Sequence, residues 1–370
     1  MNALNHAPLF AAEFVFPGHP DKLADAIADA LVAEAVRREP RALAGVEVAV
    51  HRRRVFVTGR IGCRDAASID VAAVVREVYR TAGYDVDWYP SPDELLIDHD
   101  LCLGPLEDGE AEFRELADDQ AICVGHAVAN PHTNWLPIEQ FLAQRLARRL
   151  NRLRLEVPEL RLGPDGKVIV GVTSDGREHR LLRFSCSLQQ KVLGDEVALH
   201  RAVRVALGDE LQRLAIPGLS LELPATITVN GAGAFEVGGP EGDNGLAGKK
   251  LVMDAYGPRV PIGGGAWSGK DFFKADRAGG IHARRLAKLI VTLGLAESAT
   301  VTLGWQPGDR EPAVLRAEGV ALGQARRCAE LLDGALAASG ERWSASEDLV
   351  DVARWGHFAE ARAWEALRAC

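Results

Sequence analysis

Residues Gly263 to Asp271, which read Gly-Gly-Gly-Ala-Trp-Ser-Gly-Lys-Asp, constrain the local fold more than any other segment of the chain. Because glycine has no side chain, the backbone there can lie close to a bulky ligand. Ser268 is predicted as a helix N-cap, which would leave backbone N–H groups facing that ligand. Lys270 and Lys274 would then share one helical face and repel each other unless an anion lay between them. A polyphosphate would suit this position, and Asp276 could bind its magnesium ion.

The same segment also fits the first part of a P-loop, with Gly264, Gly269 and Lys270 at the required spacing. A P-loop needs Ser or Thr at the next position, which is Asp271 here, and the preceding run 258–262 is a poor strand. A purely structural glycine turn is a further alternative. A phosphate site of another kind is the favoured interpretation.

The segment Gly18-His19-Pro20-Asp21-Lys22 opens a predicted helix. His19 precedes the first helical turn, where free N–H groups favour anions, so its imidazole could contact a phosphate or a developing charge on oxygen. Asp21 and the nearby Glu13 could bind a metal ion. The alternative is a capped helix that carries a solvated ion pair.

A second glycine-rich zone spans residues 230–243 and is followed by Gly248-Lys249-Lys250. Such a loop can wrap a nucleotide, with the Phe235 ring available for stacking on a base. A surface hairpin with a solvated lysine pair is the alternative. Together the motifs give a possible cationic set for a nucleoside polyphosphate: His19, Lys167, Lys249, Lys250, Lys270 and Lys274.

Composition limits the class of protein. A net charge of −9 over 370 residues argues against nucleic acid or an anionic membrane as the main partner. The 6 cysteines are scattered without a CxxC pair, which is typical of reduced thiols in a cytoplasm. The first ten residues do not resemble a signal peptide, and no apolar run approaches the length of a membrane helix. The sequence therefore indicates a cytoplasmic protein.

Strand pairs followed by helices recur about three times, which indicates an α+β fold rather than one doubly wound sheet. Asp25 and Asp29 are predicted to be solvent-exposed on the first helix, and the acidic stretch 90–117 is predicted as a long loop. Helices are predicted at 20–38, 70–82, 137–151, 195–214, 275–293 and 320–338. Strands are predicted at 46–50, 55–61, 168–172, 180–187, 225–229, 251–256 and 300–304.

These motifs resemble those of S-adenosylmethionine synthases (methionine adenosyltransferases). The likeness runs in order over nearly the whole chain, so chance similarity is improbable. The matching segments are Gly18–Lys22, Asp119-Gln120, Gly163–Lys167 (Gly163 in place of Arg), Gly238–Asp243, Gly263–Asp271 (Trp267 in place of Phe) and Gly356–Phe358.

The resemblance implies three similar α/β domains around a pseudo-threefold axis, with boundaries expected at 1–120, 121–245 and 246–370 and parts exchanged between domains. It implies a homodimer or dimer of dimers with active sites between subunits. It implies that a thioether sulfur attacks C5′ of ATP and displaces triphosphate, which is then hydrolysed to pyrophosphate and phosphate. Mg²⁺ and K⁺ are the implied cofactors.

The resemblance also implies roles for individual residues, position by position. The catalytic set would be His19, Lys167, Lys249, Lys270 and Lys274. ATP would contact His19, Asp165, Lys167, Phe235, Asp243, Lys249, Lys250, Ala266 and Lys270. The sulfur substrate would contact Arg60, Asp119, Asp243 and Lys274. Magnesium would be bound by Glu13, Asp21 and Asp276, and potassium by Glu47.

The departures from the family pattern fall mostly on the sulfur-substrate side. Pro17 replaces a Glu, and Arg60 replaces the Glu that holds the amino group of methionine. The usual start of the gating loop has no counterpart near 100–105. Lys249 and Ala234 each replace an Arg. The resemblance thus implies a sulfur nucleophile that is either methionine or an analogue, and two alternatives stay open: an ATP or tripolyphosphate hydrolase, and a non-catalytic nucleotide-binding paralogue.

Overall fold

The structure is a computed structural model that describes residues 8–191, 195–358 and 362–367. Within these residues the strands are β1 (Leu9–Val15), β2 (Leu43–His51), β3 (Arg54–Gly62), β4 (Leu96–Gly104), β5 (Ala121–Val128), β6 (Leu162–Ser174), β7 (His179–Gln190), β8 (Thr226–Val229), β9 (Gly245–Leu246), β10 (Ser298–Trp305) and β11 (Ala313–Glu318). The helices are α1 (Pro20–Arg38), α2 (Val71–Ala82), α3 (Ile138–Glu156), α4 (Glu196–Leu214), α5 (Leu251–Asp254), α6 (Ala275–Thr292), α7 (Leu322–Ala329), α8 (Leu336–Trp343) and α9 (Leu349–Trp355).

The strands form three separate sheets, in the orders β1-β6-β7-β8, β4-β3-β2-β9 and β11-β10-β5. Each sheet carries a helix on one face: α3 packs on β6, α1 on β2, and α6 on β5 and β10. This architecture confirms the predicted α+β class. The predicted boundaries at 120/121 and 245/246 stay a prediction, and the pairs β1–β6 and β5–β10 join strands from either side of them.

The helix that carries the first motif begins and ends where the sequence predicts. Its N-cap is His19, whose side chain accepts a hydrogen bond from the backbone N–H of Asp21, and Pro20 occupies the first turn. Basic residues Arg37 and Arg38 lie in the last turn, where they interact favourably with the helix dipole.

Three predicted elements are wrong. The run 251–256 is not a strand but contains the short helix α5, because a short apolar run does not distinguish the two by periodicity. The helix predicted at 320–338 is two helices, α7 and α8, since the Asp333-Gly334 pair favours a break. The stretch 90–117 contains β4, which pairs in parallel with β3 as an edge strand that tolerates acidic residues. No helix in the described part of the chain has the length and hydropathy needed to cross a bilayer.

Asp25 and Asp29 are buried, with 1% and 0% exposure, so the prediction that they face solvent is wrong. Together with Asp21, also 1% exposed, they follow a four-residue spacing along one face of α1. Each carboxylate accepts a backbone hydrogen bond from a glycine-rich segment far away in sequence: Asp21 from Leu246 (3.0 Å), Asp25 from Gly248 (2.7 Å) and Asp29 from Gly269 (2.9 Å). One helix face therefore positions both loops.

Two buried cations balance this acidic face. Arg277 donates to both carboxylate oxygens of Asp29, at 2.6 and 3.0 Å, and both side chains are 0% exposed. Lys22 pairs with Asp254 and lies 3.5 Å from Asp25. Burial raises the pKa of Asp25 to about 7 even though the Lys22 ammonium opposes the rise. The core beneath the glycine loops is therefore polar and closely charge-balanced.

We expect Asp29→Ala to destabilise the protein by about 3–5 kcal/mol, because it leaves the buried Arg277 guanidinium without its carboxylate. Urea unfolding followed by circular dichroism measures the change in the free energy of unfolding. The control is Glu34→Ala on the same helix, where a partly exposed carboxylate pairs with Arg37 and Arg38 and the cost should stay below about 1 kcal/mol. Equal midpoints for the two variants would contradict the structural role of Asp29.

Candidate active site

A cavity of about 400 Å³ lies between the start of α1, the strand β6 and the loop that follows β8. This volume lies within the range of small-molecule sites. The cavity brings together five of the residues predicted to contact ATP, which come from distant parts of the chain: His19, Asp165, Lys167, Phe235 and Asp243. Phe235 comes from the glycine-rich loop and leaves part of its ring surface accessible.

His19 presents a neutral imidazole to this cavity. Its Nδ1 accepts the backbone N–H of Asp21 at 3.2 Å, which assigns the ring proton to Nε2. Burial lowers the pKa of His19 below its usual value of 6.5, and the carboxylates of Asp165 and Asp21 oppose this effect. The nearby Lys250 ammonium lowers that pKa as well. The ring can therefore donate a hydrogen bond near neutral pH without carrying a charge.

Lys167 and Asp165 hold the opposite wall of the cavity through β6. The ammonium of Lys167 forms an ion pair with Glu13, which lies on the adjacent strand β1. Asp165 is 7% exposed and accepts the backbone N–H of Gly239 at 2.7 Å. The cavity wall and the glycine-rich loop are thus joined by a charge-assisted hydrogen bond.

Asp21 links the cavity to the second lysine motif. Its carboxylate lies 3.1 Å from Lys250 and 3.6 Å from Lys249, and 3.8 Å from Nδ1 of His19. Gly248, which precedes the two lysines, has φ +79°, a conformation that favours glycine, and a Cβ there would collide with Ala266. The two glycine loops are therefore in direct contact.

The Gly263–Asp271 segment is neither a P-loop nor a helix N-terminus. In the described structure, residues 255–262 form no strand, and α6 begins only at Ala275 with Lys274 as its N-cap. Ser268 does not cap a helix, since its buried hydroxyl has no hydrogen-bond partner. The prediction of a shared helical face for Lys270 and Lys274 is also wrong, because Lys270 lies outside α6.

The chain instead turns at Gly269, with φ +87°, and lies against β2. Asp271 holds this course, because its carboxylate accepts the N–H of Ala44 at 2.7 Å and pairs with the buried Arg114 at 2.9 Å. The turn leaves the ammonium of Lys270 paired with Asp276.

Several predicted site residues lie outside the His19 cavity. Lys274 pairs with Asp118, which the sequence did not indicate, while Asp119 is exposed and accepts a hydrogen bond from the N–H of Gln120. Glu47 lies on β2. Burial raises the pKa of Glu47, and the nearby ammonium of Lys270 opposes that rise. Lys274 and Glu47 thus lie beside the Gly263–Asp271 segment rather than at the cavity.

Arg60 is engaged by a partner that sequence reasoning missed. Its guanidinium binds Glu110 through two hydrogen bonds, of 3.1 and 2.8 Å, and also donates to the carbonyls of Cys102 and Pro105. Glu110 lies in the acidic stretch without periodicity, so no pattern relates it to Arg60. Arg60 in turn lowers the pKa of Glu110, which keeps the pair ionised and locally neutral.

The carboxylates predicted to bind magnesium do not converge. Among the described residues, no three acidic, His or Cys side chains are grouped to hold a metal ion. Glu13, Asp21 and Asp276 each pair with a lysine instead. Mg²⁺ is commonly bound by one or two carboxylates together with substrate phosphates, so this donor set fits a metal that binds with a polyphosphate.

Comparison with known proteins places these observations in a family. Residues 7–93 match the N-terminal domain of S-adenosylmethionine synthetase, and residues 237–335 match its C-terminal domain. S-adenosylmethionine synthase 1 of Frankia casuarinae is 35% identical over 84% of this chain and 81% of its own. The S-adenosylmethionine synthase of Deinococcus deserti is 32% identical over 94% of both chains.

Among solved structures, an unusual S-adenosylmethionine synthetase from Campylobacter jejuni superposes with a TM-score of 0.85 at 26% identity, over 97% of each chain. This match agrees with the predicted fold. The chain belongs to the S-adenosylmethionine synthetase family and is an ATP-using enzyme of the methionine adenosyltransferase type.

Proposed function

We propose that the protein transfers the adenosyl group of ATP to the sulfur of methionine or a close thioether analogue, releasing a triphosphate that is hydrolysed to pyrophosphate and phosphate. One observation carries the proposal: each carboxylate expected to bind magnesium is paired with a lysine expected to bind phosphate. The pairs are Glu13–Lys167, Asp21–Lys250 and Asp276–Lys270.

These pairs suit a site that exchanges partners when substrate binds. A magnesium–triphosphate complex offers phosphate oxygens to the ammonium groups and a cation to the carboxylates. Both sets of charges therefore have partners before and after binding, including the buried carboxylate of Asp21. Magnesium would supply charge neutralisation on the phosphate oxygens, and we propose Glu47 for potassium.

During transfer, a lone pair of the sulfur forms the bond to C5′ while the C5′–O bond breaks. The bonding electrons leave with the triphosphate, whose developing charge must be stabilised. Nε2–H of His19 would donate to the departing oxygen, and Lys167, Lys249, Lys250 and Lys270 would neutralise the phosphates. Phe235 would stack on adenine, and Asp165, Asp243 and Ala266 would complete the nucleotide site.

We further propose a cytoplasmic homodimer or dimer of dimers, with Arg60, Asp119, Asp243 and Lys274 on the sulfur-substrate side. The buried free thiols of Cys63, Cys123, Cys186 and Cys328 support a reducing compartment. Analytical ultracentrifugation tests the assembly, and a purely monomeric protein would overturn that part of the proposal.

Lys270→Gln should lower kcat/KM for ATP by roughly 10²–10³-fold, because it removes a charge that stabilises the leaving group. Mass spectrometry of the adenosyl product, formed from ATP, magnesium and methionine, measures the effect. Arg152→Gln, an exposed cation on α3, is the control and should behave as wild type. Absence of an adenosyl product with every thioether offered would refute the proposal, and phosphate release independent of thioether would favour a hydrolase.

The ring of His19 should titrate below pH 6.5 in histidine NMR spectra, with its signal assigned by His19→Gln. Since Asp165 raises this pKa and Lys250 lowers it, Asp165→Asn should move the midpoint lower and Lys250→Gln should move it higher. A midpoint at or above 6.5 in the free enzyme would contradict the lowering of this pKa by burial.

Glu110→Gln should raise the KM for methionine by roughly 10-fold with little change in the KM for ATP, because it leaves Arg60 as an unbalanced cation facing the substrate ammonium. Glu107→Gln is the matched control, since Glu107 is 77% exposed and lies 3.7 Å from Arg60. An unchanged KM for methionine in Glu110→Gln would remove Arg60 from the sulfur-substrate side.

A further inference from the structure

A second cavity, of about 700 Å³, lies on the far side of the β6 start from the His19 cavity. Its walls come from the C-terminal ends of α2 and α3 and from the edges of β6 and β7. Four cations and two acids line it: Arg80, Arg154, Arg161 and Lys191, with Asp85 and Asp87. It shares no lining residue with the His19 cavity. The cavity thus brings four cationic side chains together in a chain with a net charge of −9.

Arg80 pairs with Asp93 at 2.7 Å and lies 3.7 Å from Glu77, whereas the other three cations of this second cavity are weakly satisfied by the protein. Arg161 is exposed, and its side chain makes no ion pair or hydrogen bond among the described residues. Arg154 makes one hydrogen bond, to the carbonyl of Gly83 at 3.2 Å, and its buried Nε has no partner. Lys191 pairs with Asp87, which is 71% exposed. Exposed pairs contribute little, so an anionic ligand could replace them at small cost.

The backbone fixes two of these cations beside each other. The N–H of Lys191 donates to the carbonyl of Arg161 at 3.1 Å, so the end of β7 is joined to the turn before β6. Arg161 holds φ +50° in that turn. The two charged side chains therefore leave from hydrogen-bonded neighbours into one cavity, an arrangement that suits an anion with several oxygen atoms.

Trp88, the aromatic residue at this cavity, already contacts a cation of the protein. The ammonium of Lys191 lies 5.2 Å from the ring centroid of Trp88, and the ring edge packs against Gly163. Trp88 thus offers Lys191 a cation–π contact rather than an open face for a nucleobase. The chemistry favours phosphate groups over a stacked ring.

The loop 83–88 connects this cavity to the proposed nucleotide site. Asp85, Asp87 and Trp88 line the cationic cavity. Tyr84, between them and α2, donates to the carbonyl of Gly18 at 2.7 Å, directly before His19, and its hydroxyl packs against Gly239. Movement of this loop would therefore be felt at both cavities.

We infer that the cavity lined by Arg80, Arg154, Arg161 and Lys191 is a second anion site, separate from the catalytic cavity, that binds a polyanionic phosphate compound of the pyrophosphate class. The site itself does not depend on the proposed reaction. A coupling between this site and nucleotide binding, transmitted through Tyr84, rests on the proposed function.

The test is isothermal titration of the full chain with inorganic pyrophosphate at physiological ionic strength. Wild type should bind one equivalent of pyrophosphate per chain at this cavity. The double variant Arg161→Asn/Lys191→Gln should bind that equivalent at least ~10-fold more weakly, because two charge-assisted contacts are lost. Asn tolerates the positive φ at position 161, so the variant should fold. The control, Arg152→Gln/Arg204→Gln, removes the same charge from exposed positions of α3 and α4 and should bind as wild type.

His19→Gln/Lys167→Gln separates the two sites, since it should keep this equivalent whatever its effect on catalysis. Should the double variant of the cavity unfold, Arg161→Asn alone must show the weaker binding. The inference is overturned if wild type binds no pyrophosphate, if Arg161→Asn/Lys191→Gln titrates like its control, or if the equivalent disappears in His19→Gln/Lys167→Gln.

Discussion

The buried acidic face of α1 is the constraint on which the rest of the site depends. Asp21, Asp25 and Asp29 each hold one backbone N–H of a glycine-rich loop, and the loops in turn carry Lys249, Lys250 and Lys270. Carboxylates placed this deep are tolerated because cations and N–H groups surround them. The same helix begins with His19, so one element positions both the glycine-rich loops and the imidazole that lines the cavity.

This arrangement explains how a protein of negative net charge presents a cationic site. Its lysines are not free charges, since each lies near a carboxylate, with Lys249 and Lys250 sharing Asp21. These pairs reduce repulsion among the lysines in the ligand-free protein. Arg60 is likewise paired with a carboxylate, that of Glu110.

Local chemistry made the beginning of α1 predictable from the sequence, because caps and motif spacing act over a few positions. That His19, Asp165, Lys167, Phe235 and Asp243 share a site was expected from the family resemblance, and the structure brings them together at one cavity. Burial of Asp25 and Asp29 was not predictable, since their partners Gly248 and Gly269 lie 223 and 240 residues away. The pairing of Glu110 with Arg60 was not predicted for the same reason, because Glu110 lies 50 residues away in a stretch without periodicity. The prediction that Ser268 caps a helix was wrong because serine, a common N-cap residue, also occurs in buried turns.

The interleaving of the three sheets has a consequence for how the chain acquires its structure. β1 can pair with β6 only after β6 has been synthesised. β9, which pairs with β2, lies in the second half of the chain. These strand pairs are therefore non-local. Chains rich in non-local contacts fold slowly, because the entropy cost of closing a long loop comes before the stabilising contacts form. During synthesis the chain would expose the apolar faces of its early strands until the later segments are made, and such exposed surface is prone to aggregation.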